Sequence, residues 1–155
     1  MAVSAVLFSP FAILSGVLPI LPRMRFIGWW AQFITFWLRV TCKIHHKVQG
    51  LEHLTTSPAV ILSKHQSAWE TIAFQVIFPP QTWALKRAAL WTPFFGWGLA
   101  ATRPIAINRA TRIRALDQLL EQGGERLAEG RWVVIFPEGT RVAPGGRGRY
   151  APGGA

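Results

Sequence analysis

The chain has 155 residues, half of them hydrophobic, with 17 Lys and Arg against 7 Asp and Glu and a formal net charge of +10. This length suffices for one domain with a buried core and is short for two. The apolar fraction excludes a disordered polyelectrolyte, and the single cysteine, Cys42, excludes an internal disulfide and a cysteine-rich zinc framework. A basic chain this apolar is typical of a protein that meets an anionic lipid surface.

The N-terminal third is apolar, aromatic and basic. Residues 5–21 form one apolar run and residues 26–40 form another that is rich in tryptophan, and no acidic residue precedes Glu52. Cationic residues together with tryptophans at the edges favour helices held at the cytoplasmic face of a membrane. We therefore expect residues 1–47 to be a membrane-associated helical segment.

The geometry of that segment has three interpretations. The first run is at the lower limit for a bilayer span, and Pro10 and Pro19 interrupt it. An interfacial or re-entrant helical pair is therefore favoured over a genuine span, and a helical pair packed on a soluble domain is the third interpretation. No Lys or Arg precedes the run, so a cleaved signal peptide is not expected.

From residue 59 onward, short apolar strands alternate with helical patterns. The predicted strands are residues 59–63, 82–86, 103–107 and 132–136, and the predicted helices are residues 67–76, 89–100 and 111–129. The alternation predicts an α/β domain over residues 48–155, with a partly parallel sheet and flanking helices.

Polar residues follow the first predicted strand, where open α/β sheets place their chemistry. His65 stands in the turn and Glu70 in the first turns of the next helix, so the carboxylate can reach back to the ring. Such a pair can act as a general base on a substrate hydroxyl. A capping or surface pair is the alternative interpretation of the same residues. Ser67 lacks the glycine-flanked elbow of a serine nucleophile.

A second polar stretch follows the last predicted strand. Pro137 stops sheet hydrogen bonding, and Glu138, Gly139, Thr140 and Arg141 come directly after it. Gly139 permits an unusual backbone angle or a close approach to a ligand, and the planar fork of Arg141 suits a phosphate. The stretch therefore indicates a loop suited to a phosphate-bearing ligand.

Four ordered blocks resemble the glycerolipid acyltransferase family, specifically the 1-acylglycerol-3-phosphate acyltransferases. They are HQSAWE at 65–70, KR at 86–87 with PFFGWG at 93–98, RPIAIN and an arginine at 103–109, and FPEGTR at 136–141. The resemblance covers roughly residues 48–155. The family more commonly has Asp at the position of Glu70, and relatives often carry Glu where this chain has Ala88.

The resemblance implies transfer of an acyl group from acyl-CoA or acyl-carrier protein to the sn-2 hydroxyl of 1-acylglycerol-3-phosphate, forming phosphatidic acid, with no metal and no further cofactor. It implies His65 as the general base and Glu70 as the carboxylate that orients it. The implied substrate contacts come from the following residues: Arg109, Glu138, Gly139, Thr140 and Arg141. Anionic membrane lipids are the expected partners, and the expected location is the cytoplasmic face of a membrane, the inner membrane if the source is bacterial.

The family pattern continues beyond residue 155, so we expect the chain to lack the C-terminal part of the domain. A catalytically inactive, truncated membrane-bound relative is therefore the alternative function. Nucleic-acid binding is not expected, because the basic residues are spread among hydrophobic segments. The aromatic stretch at residues 91–97 is interpreted as core, as a wall of an acyl-chain groove or as a membrane contact.

Overall fold

The structure is a computed structural model that describes residues 2–108 and 112–150. Its helices are α1 (Ala2–Leu14), α2 (Ile20–Thr41), α3 (Trp69–Ile77), α4 (Phe95–Ala100) and α5 (Arg112–Ala128). Its strands are β1 (Val60–Leu62), β2 (Gln81–Lys86), β3 (Ile105–Ile107) and β4 (Trp132–Ile135). All four predicted strands are confirmed, with ends that differ from the predictions by at most about two residues, as is usual for strand boundaries read from a sequence.

The four strands form one sheet in the order β1-β4-β2-β3. Each neighbouring pair is parallel, so the described sheet is wholly parallel where the sequence predicted a partly parallel one. The last strand in the chain lies between β1 and β2, and its residues Trp132, Val133 and Val134 are buried. Because the strands run the same way, the segments that follow them lie at one edge of the sheet.

The helix predicted at residues 89–100 is wrong as a single element. A 3-10 helix, Arg87–Trp91, is followed by the short helix α4. Pro93 is the cause, because a residue before proline is pushed out of the helical region, and Thr92 is extended with φ −65° and ψ 120°. The chain turns at Phe94, where the N–H of Phe95 donates to the carbonyl of Pro93 over 2.7 Å.

This turn is held by the first helix of the chain. Phe94 has φ 60° and ψ −64°, a backbone conformation that residues other than glycine rarely adopt. The hydroxyl of Ser9 in α1 donates to the Phe94 carbonyl. Close packing continues one turn along α4, because a side chain at Gly98 would come within 2.8 Å of the Ser9 hydroxyl oxygen. Small residues at both positions thus let α1 lie directly against α4.

The N-terminal helices differ in extent from the two apolar runs in the sequence. Helix α1 is followed by a 3-10 helix, Ser15–Val17, and α2 starts after Pro19 and runs for 22 residues. Proline is tolerated at a helix start because its missing N–H would have no partner there. No helix within residues 2–108 and 112–150 combines the length and the apolar character needed to cross a membrane.

Helix α2 presents two apolar faces. One packs on α3 through Ala31, Ile34 and Ile72, which form a buried cluster. The other is exposed to solvent, and its members recur at helical spacing. We call this set the outward face of α2: Trp29, Phe33, Phe36, Trp37 and Val40. Packing on the domain, the third interpretation of the sequence, is therefore correct for one side of α2. The predicted domain boundary between residues 47 and 48 falls between α2 and β1 and stays a prediction.

The edge of the sheet opposite the motif segments is closed by a buried arginine. Arg131 precedes β4 and is fully buried. Its guanidinium donates to Glu129 Oε2 over 2.6 Å and to the carbonyl of Thr102 over 2.8 Å. Burial lowers the pKa of Arg131 from its usual value, although the Glu129 carboxylate opposes this. These bonds tie the start of β4 to the turn before β3.

Candidate active site

His65 lies in the loop between β1 and α3, at the carboxyl edge of the sheet. Its ring stacks on Phe136, with centroids 4.1 Å apart and planes inclined by 21°. Its backbone is held on both sides, because its N–H donates to Glu138 Oε2 over 3.3 Å and its carbonyl accepts from the N–H of Val142 over 2.8 Å. The segment after β4 therefore fixes the ring, the N–H and the carbonyl of His65.

Sheet topology explains this meeting. His65 and Glu138 are 73 residues apart in the chain, but β1 and β4 are direct neighbours with Leu62 opposite Ile135. The pairing continues one step past β1, where the N–H of Ser63 donates to the carbonyl of Ile135 over 3.0 Å. The two motif segments thus leave adjacent strands at the same level.

Glu70 reaches back to His65 from the first turn of α3. Its Oε1 lies 3.6 Å from Nδ1 of His65, and only 16% of the His65 side chain and 13% of the Glu70 side chain are exposed. Nδ1 is buried and makes no hydrogen bond. The distance is too long for a hydrogen bond, so the present contact is electrostatic; catalytic hydrogen bonds often tighten only when substrate binds.

The same carboxylate caps the helix. It accepts from the N–H of Ser67 over 2.9 Å and from the Ser67 hydroxyl over 2.5 Å, and it also accepts from the N–H of Gln66. The Ser67 oxygen in turn accepts from the N–H of Trp69 over 3.1 Å. This reciprocal arrangement is a variant of the capping box, in which the Ser67 oxygen bonds the N–H of Trp69 instead of the N–H of Glu70. The Glu70 carboxylate therefore lies beside the His65 ring and also bonds the start of the helix, and its role as the partner of a general base stays a prediction.

The capping bonds set the charge of Glu70. Burial raises its pKa, but hydrogen bonds from the Ser67 hydroxyl and from the N–H groups of Gln66 and Ser67 outweigh this effect. Together they lower the pKa of Glu70 to about 2 from an ordinary 4.5. The carboxylate is consequently ionised at neutral pH and places a negative charge beside Nδ1 of His65.

The loop after β4 divides the predicted substrate contacts into two groups. Gly139 donates to the carbonyl of Phe136 over 2.9 Å, which closes a turn, and has φ +64°. Gly139, Thr140 and Arg141 are exposed, whereas Glu138 is buried. The predicted contact Arg109 lies outside the described residues. Three predicted contacts therefore lie together at the accessible edge, and the fourth, Glu138, is directed toward the His65 loop.

An apolar cavity of about 410 Å³ lies beside α3. Two lining residues, Ala68 and Thr71, flank Trp69 and Glu70 in the chain. Further wall residues come from the rest of α3, from α1, α2, β2 and α4, and from Ala89 and Thr102. Phe95 lines the cavity, while Trp91, Phe94 and Trp97 are 50–80% exposed. The aromatic stretch at residues 91–97 thus contributes one wall residue and presents its other large rings to the surface.

Sequence reasoning missed the contribution of α1 to this cavity. Three small residues, Ala5, Ser9 and Ala12, line it from one side of the helix. Their spacing of four and three residues is the available signal, because such positions share a helix face. It also missed the contact of Phe136 with the histidine and the pairing of Lys64 with Glu138, for which no local pattern exists.

No group of three or more His, Cys, Asp and Glu side chains within the described ranges is arranged to hold a metal ion. The side chains that contact His65 include the Glu70 carboxylate beside its ring, the Glu138 carboxylate that accepts from its N–H, and the Phe136 ring. The expectation that the chain uses no metal and no bound cofactor stays a prediction.

The structure thus places a histidine and a carboxylate at the carboxyl edge of a parallel α/β sheet, close to an apolar cavity. A model of the family described as Acyltransferase matches residues 45–154. The chain belongs to the acyltransferase family.

Two curated relatives have names that are more specific than the family description. The chain is 46% identical over 142 residues to 1-acyl-sn-glycerol-3-phosphate acyltransferase of Pseudomonas aeruginosa, an alignment that covers 91% of this chain and 55% of that protein. It is 31% identical over 121 residues to the enzyme of the same name from Saccharomyces cerevisiae, covering 71% and 40%. The chain thus spans about half the length of the curated relatives it matches. No solved structure matches.

Proposed function

We propose that this chain transfers an acyl group from acyl-CoA or acyl-carrier protein to the sn-2 hydroxyl of 1-acylglycerol-3-phosphate, forming phosphatidic acid in phospholipid biosynthesis. The observation that carries the proposal is the placement of Nδ1 of His65 3.6 Å from an ionised Glu70, at the sheet edge that also holds Arg141. The names of the relatives supply the substrate class.

His65 acts as the general base in this proposal. Nδ1 faces Glu70, which leaves Nε2 to take the proton of the acceptor hydroxyl as its oxygen attacks the thioester carbonyl. The tetrahedral intermediate then collapses, the carbon–sulfur bond breaks, and the thiolate leaves with the proton that His65 returns. Glu70 holds the ring and stabilises its charged form throughout. No acyl-enzyme is needed.

We assign the acyl chain and the phosphate of the acceptor to two different places in the structure. The apolar cavity beside α3 suits an acyl chain, because its wall is mostly hydrophobic and holds only a few polar groups. The exposed loop with Gly139, Thr140 and Arg141 suits the phosphate of the acceptor, since a guanidinium can bind two phosphate oxygens at once. Arg109 is retained as a second phosphate contact on the resemblance alone.

We further propose that the chain lies on an anionic membrane surface with its catalytic part on the cytoplasmic side, at the inner membrane if the source is bacterial. The support is the outward face of α2 together with exposed Val3, Leu7 and Leu14 on α1. Large apolar patches of this kind mark membrane or protein contacts. Arg39 lies in the last turn of α2, and Lys43 and Lys47 follow the helix. Cations near an anionic leaflet are favourable.

Acyl transfer to 1-acylglycerol-3-phosphate from labelled acyl-CoA and, separately, from labelled acyl-carrier protein, measured on this chain in detergent, tests the reaction. The His65→Ala variant should lose about 10²- to 10⁴-fold in rate, the usual contribution of a general base. His53→Ala is the matched control, because that imidazole is 83% exposed and pairs with the equally peripheral Glu52, whose side chain is 71% exposed.

Each outcome decides something. Turnover that disappears in His65→Ala but survives in His53→Ala supports both the reaction and the base. Equal turnover in all three proteins rejects His65 as the base. No turnover with either thioester donor rejects catalysis by this chain and leaves an inactive membrane-bound relative.

A further inference from the structure

Glu138 is the buried member of an otherwise exposed loop. Its side chain is 1% exposed, whereas Gly139, Thr140 and Arg141, which follow it directly, are exposed. A carboxylate that contacts an anionic phosphate would face repulsion, and one this deeply buried needs partners of its own. The partners identify what the residue does.

Both carboxylate oxygens of Glu138 are occupied. Oε1 accepts from Lys64 Nζ over 3.1 Å and from the N–H of Gly148 over 3.3 Å. Oε2 accepts from the N–H of His65 over 3.3 Å. Burial raises the pKa of Glu138, but the bonds from Lys64, His65 and Gly148 and the Lys64 charge hold it below its usual value. The side chain thus joins the loop after β1 to the segment that contains Gly148.

Lys64 completes the connection. Its Nζ also donates to the carbonyl of Gly146 over 2.6 Å. Lys64 and His65 are consecutive, so one carboxylate binds the side chain of the first and the backbone of the second. The Val142 N–H holds the His65 carbonyl from the same side. Displacement of Glu138 would therefore release the N–H of His65 and the ammonium group of Lys64 together.

We propose that Glu138 and Lys64 are positioning residues, which hold the backbone of His65 in place, and that Glu138 does not contact the acceptor phosphate. This inference rests on the proposed function, since it concerns how the general base is oriented. It also reassigns Glu138, for which the family resemblance implied a substrate contact. The phosphate contact of this loop is left to its exposed residues, Arg141 above all.

The test compares Glu138→Gln, Lys64→Met and Arg141→Gln by steady-state kinetics on the whole chain. Glutamine keeps the size of Glu138 but presents an NH₂ group to partners that are all donors. In Glu138→Gln and in Lys64→Met, we expect kcat to fall about 10- to 100-fold with little change in KM for 1-acylglycerol-3-phosphate. The reason is that a shift of about 1 Å in a catalytic group can cost that much. Arg141→Gln should instead raise that KM about 10-fold or more, as expected for a lost charged hydrogen bond.

Two further measurements separate positioning from simple destabilisation. The double variant Lys64→Met with Glu138→Gln should be no slower than either single variant, because residues in one network are not additive. Hydrogen–deuterium exchange of the peptide that contains His65 should be faster in Glu138→Gln than in Glu52→Gln, whereas exchange of the α5 peptides should be the same in both variants, because global destabilisation would speed exchange there too. Glu52 is the matched control, since its side chain is 71% exposed.

The exchange measurement needs no turnover, so it decides the inference even if the proposed function fails. Faster exchange at His65 together with a kcat effect, or faster exchange alone in an inactive chain, supports the positioning role. A raised KM with unchanged exchange in Glu138→Gln would overturn it and restore Glu138 as a substrate contact. Unchanged exchange and unchanged kinetics would also overturn it.

Discussion

Oε1 of Glu70 lies 3.6 Å from Nδ1 of His65 while the same carboxylate closes the capping box of α3. One side chain therefore fixes the start of the helix and the electrostatic environment of the histidine. The capping bonds hold the carboxylate in place whether or not the ring is protonated. Substitution of Glu70 should consequently affect both turnover and stability.

Replacing Glu70 with Gln should lower kcat by about 10²- to 10⁴-fold, because a neutral amide cannot stabilise the imidazolium. KM for either substrate should change little, since no contact of Glu70 with substrate is proposed. Steady-state kinetics of the variant check this. Glu52→Gln, at an exposed position paired with His53, should retain the rate of the unaltered chain. An unaffected kcat in Glu70→Gln would separate the carboxylate from catalysis and leave it a helix cap.

Acid should abolish the stabilisation that Glu70 provides. The pKa of Glu70 is lowered from 4.5 to about 2 in the folded chain, so folding favours the ionised form. Its contribution is full above pH 4.5 and is lost as the pH falls toward 2. The difference in free energy of unfolding between the unaltered chain and Glu70→Gln should shrink across that window. Urea denaturation at several pH values measures the difference, and a difference independent of pH would contradict the capping role.

Gly96 is required because α4 packs closely on the 3-10 helix Arg87–Trp91 that precedes it. A side chain there would come within 2.5 Å of the Leu90 carbonyl oxygen and 2.7 Å of the Ala89 carbonyl oxygen, both backbone atoms. Gly96→Ala should therefore destabilise the chain by about 1–3 kcal/mol, as overpacking usually does. Gly124→Ala is the matched control, because nothing lies within 4 Å of a side chain there, and it should stabilise α5 by about 0.5–1 kcal/mol. Thermal melts of both variants give the comparison.

The outward face of α2 should bind lipid. Replacing Phe33 and Trp37 with Gln should weaken binding to vesicles of phosphatidylglycerol and phosphatidylcholine, and the residual binding should be more easily removed by salt, since salt screens the basic residues alone. Co-sedimentation at low and high salt measures both effects. Leu120→Gln is the control, because Leu120 is an exposed apolar residue on α5. Equal binding by all variants would reject this face as the contact.

Point substitutions are preferable to removal of the N-terminal segment. Helix α2 buries Ala31 and Ile34 against Ile72 of α3, and α1 supplies part of the cavity wall. Deleting both helices would expose the core of the domain, so a loss of vesicle binding could not be ascribed to the outward face.

Much of the local structure follows from the sequence. Runs of apolar and β-branched residues predict all four strands, and the residues at their ends identify the histidine, the carboxylate and the loop with Gly139. These features are local, because side-chain periodicity and turn chemistry act over a few residues. The relationship of Glu70 to His65 is predictable for the same reason. The prediction of a single helix over residues 89–100 was wrong because the effect of Pro93 outweighed the helical pattern around it.

The tertiary structure decided what the sequence left open. Insertion of β4 between β1 and β2 brings Phe136 and Glu138 to His65. It also determines that Glu138 is directed inward while Arg141 remains exposed. No pattern within either segment contains this information, because strand order depends on pairing between distant parts of the chain. The sequence by itself therefore determined which residues stand at the strand ends, and only the long-range pairing of the strands decided which of them touch.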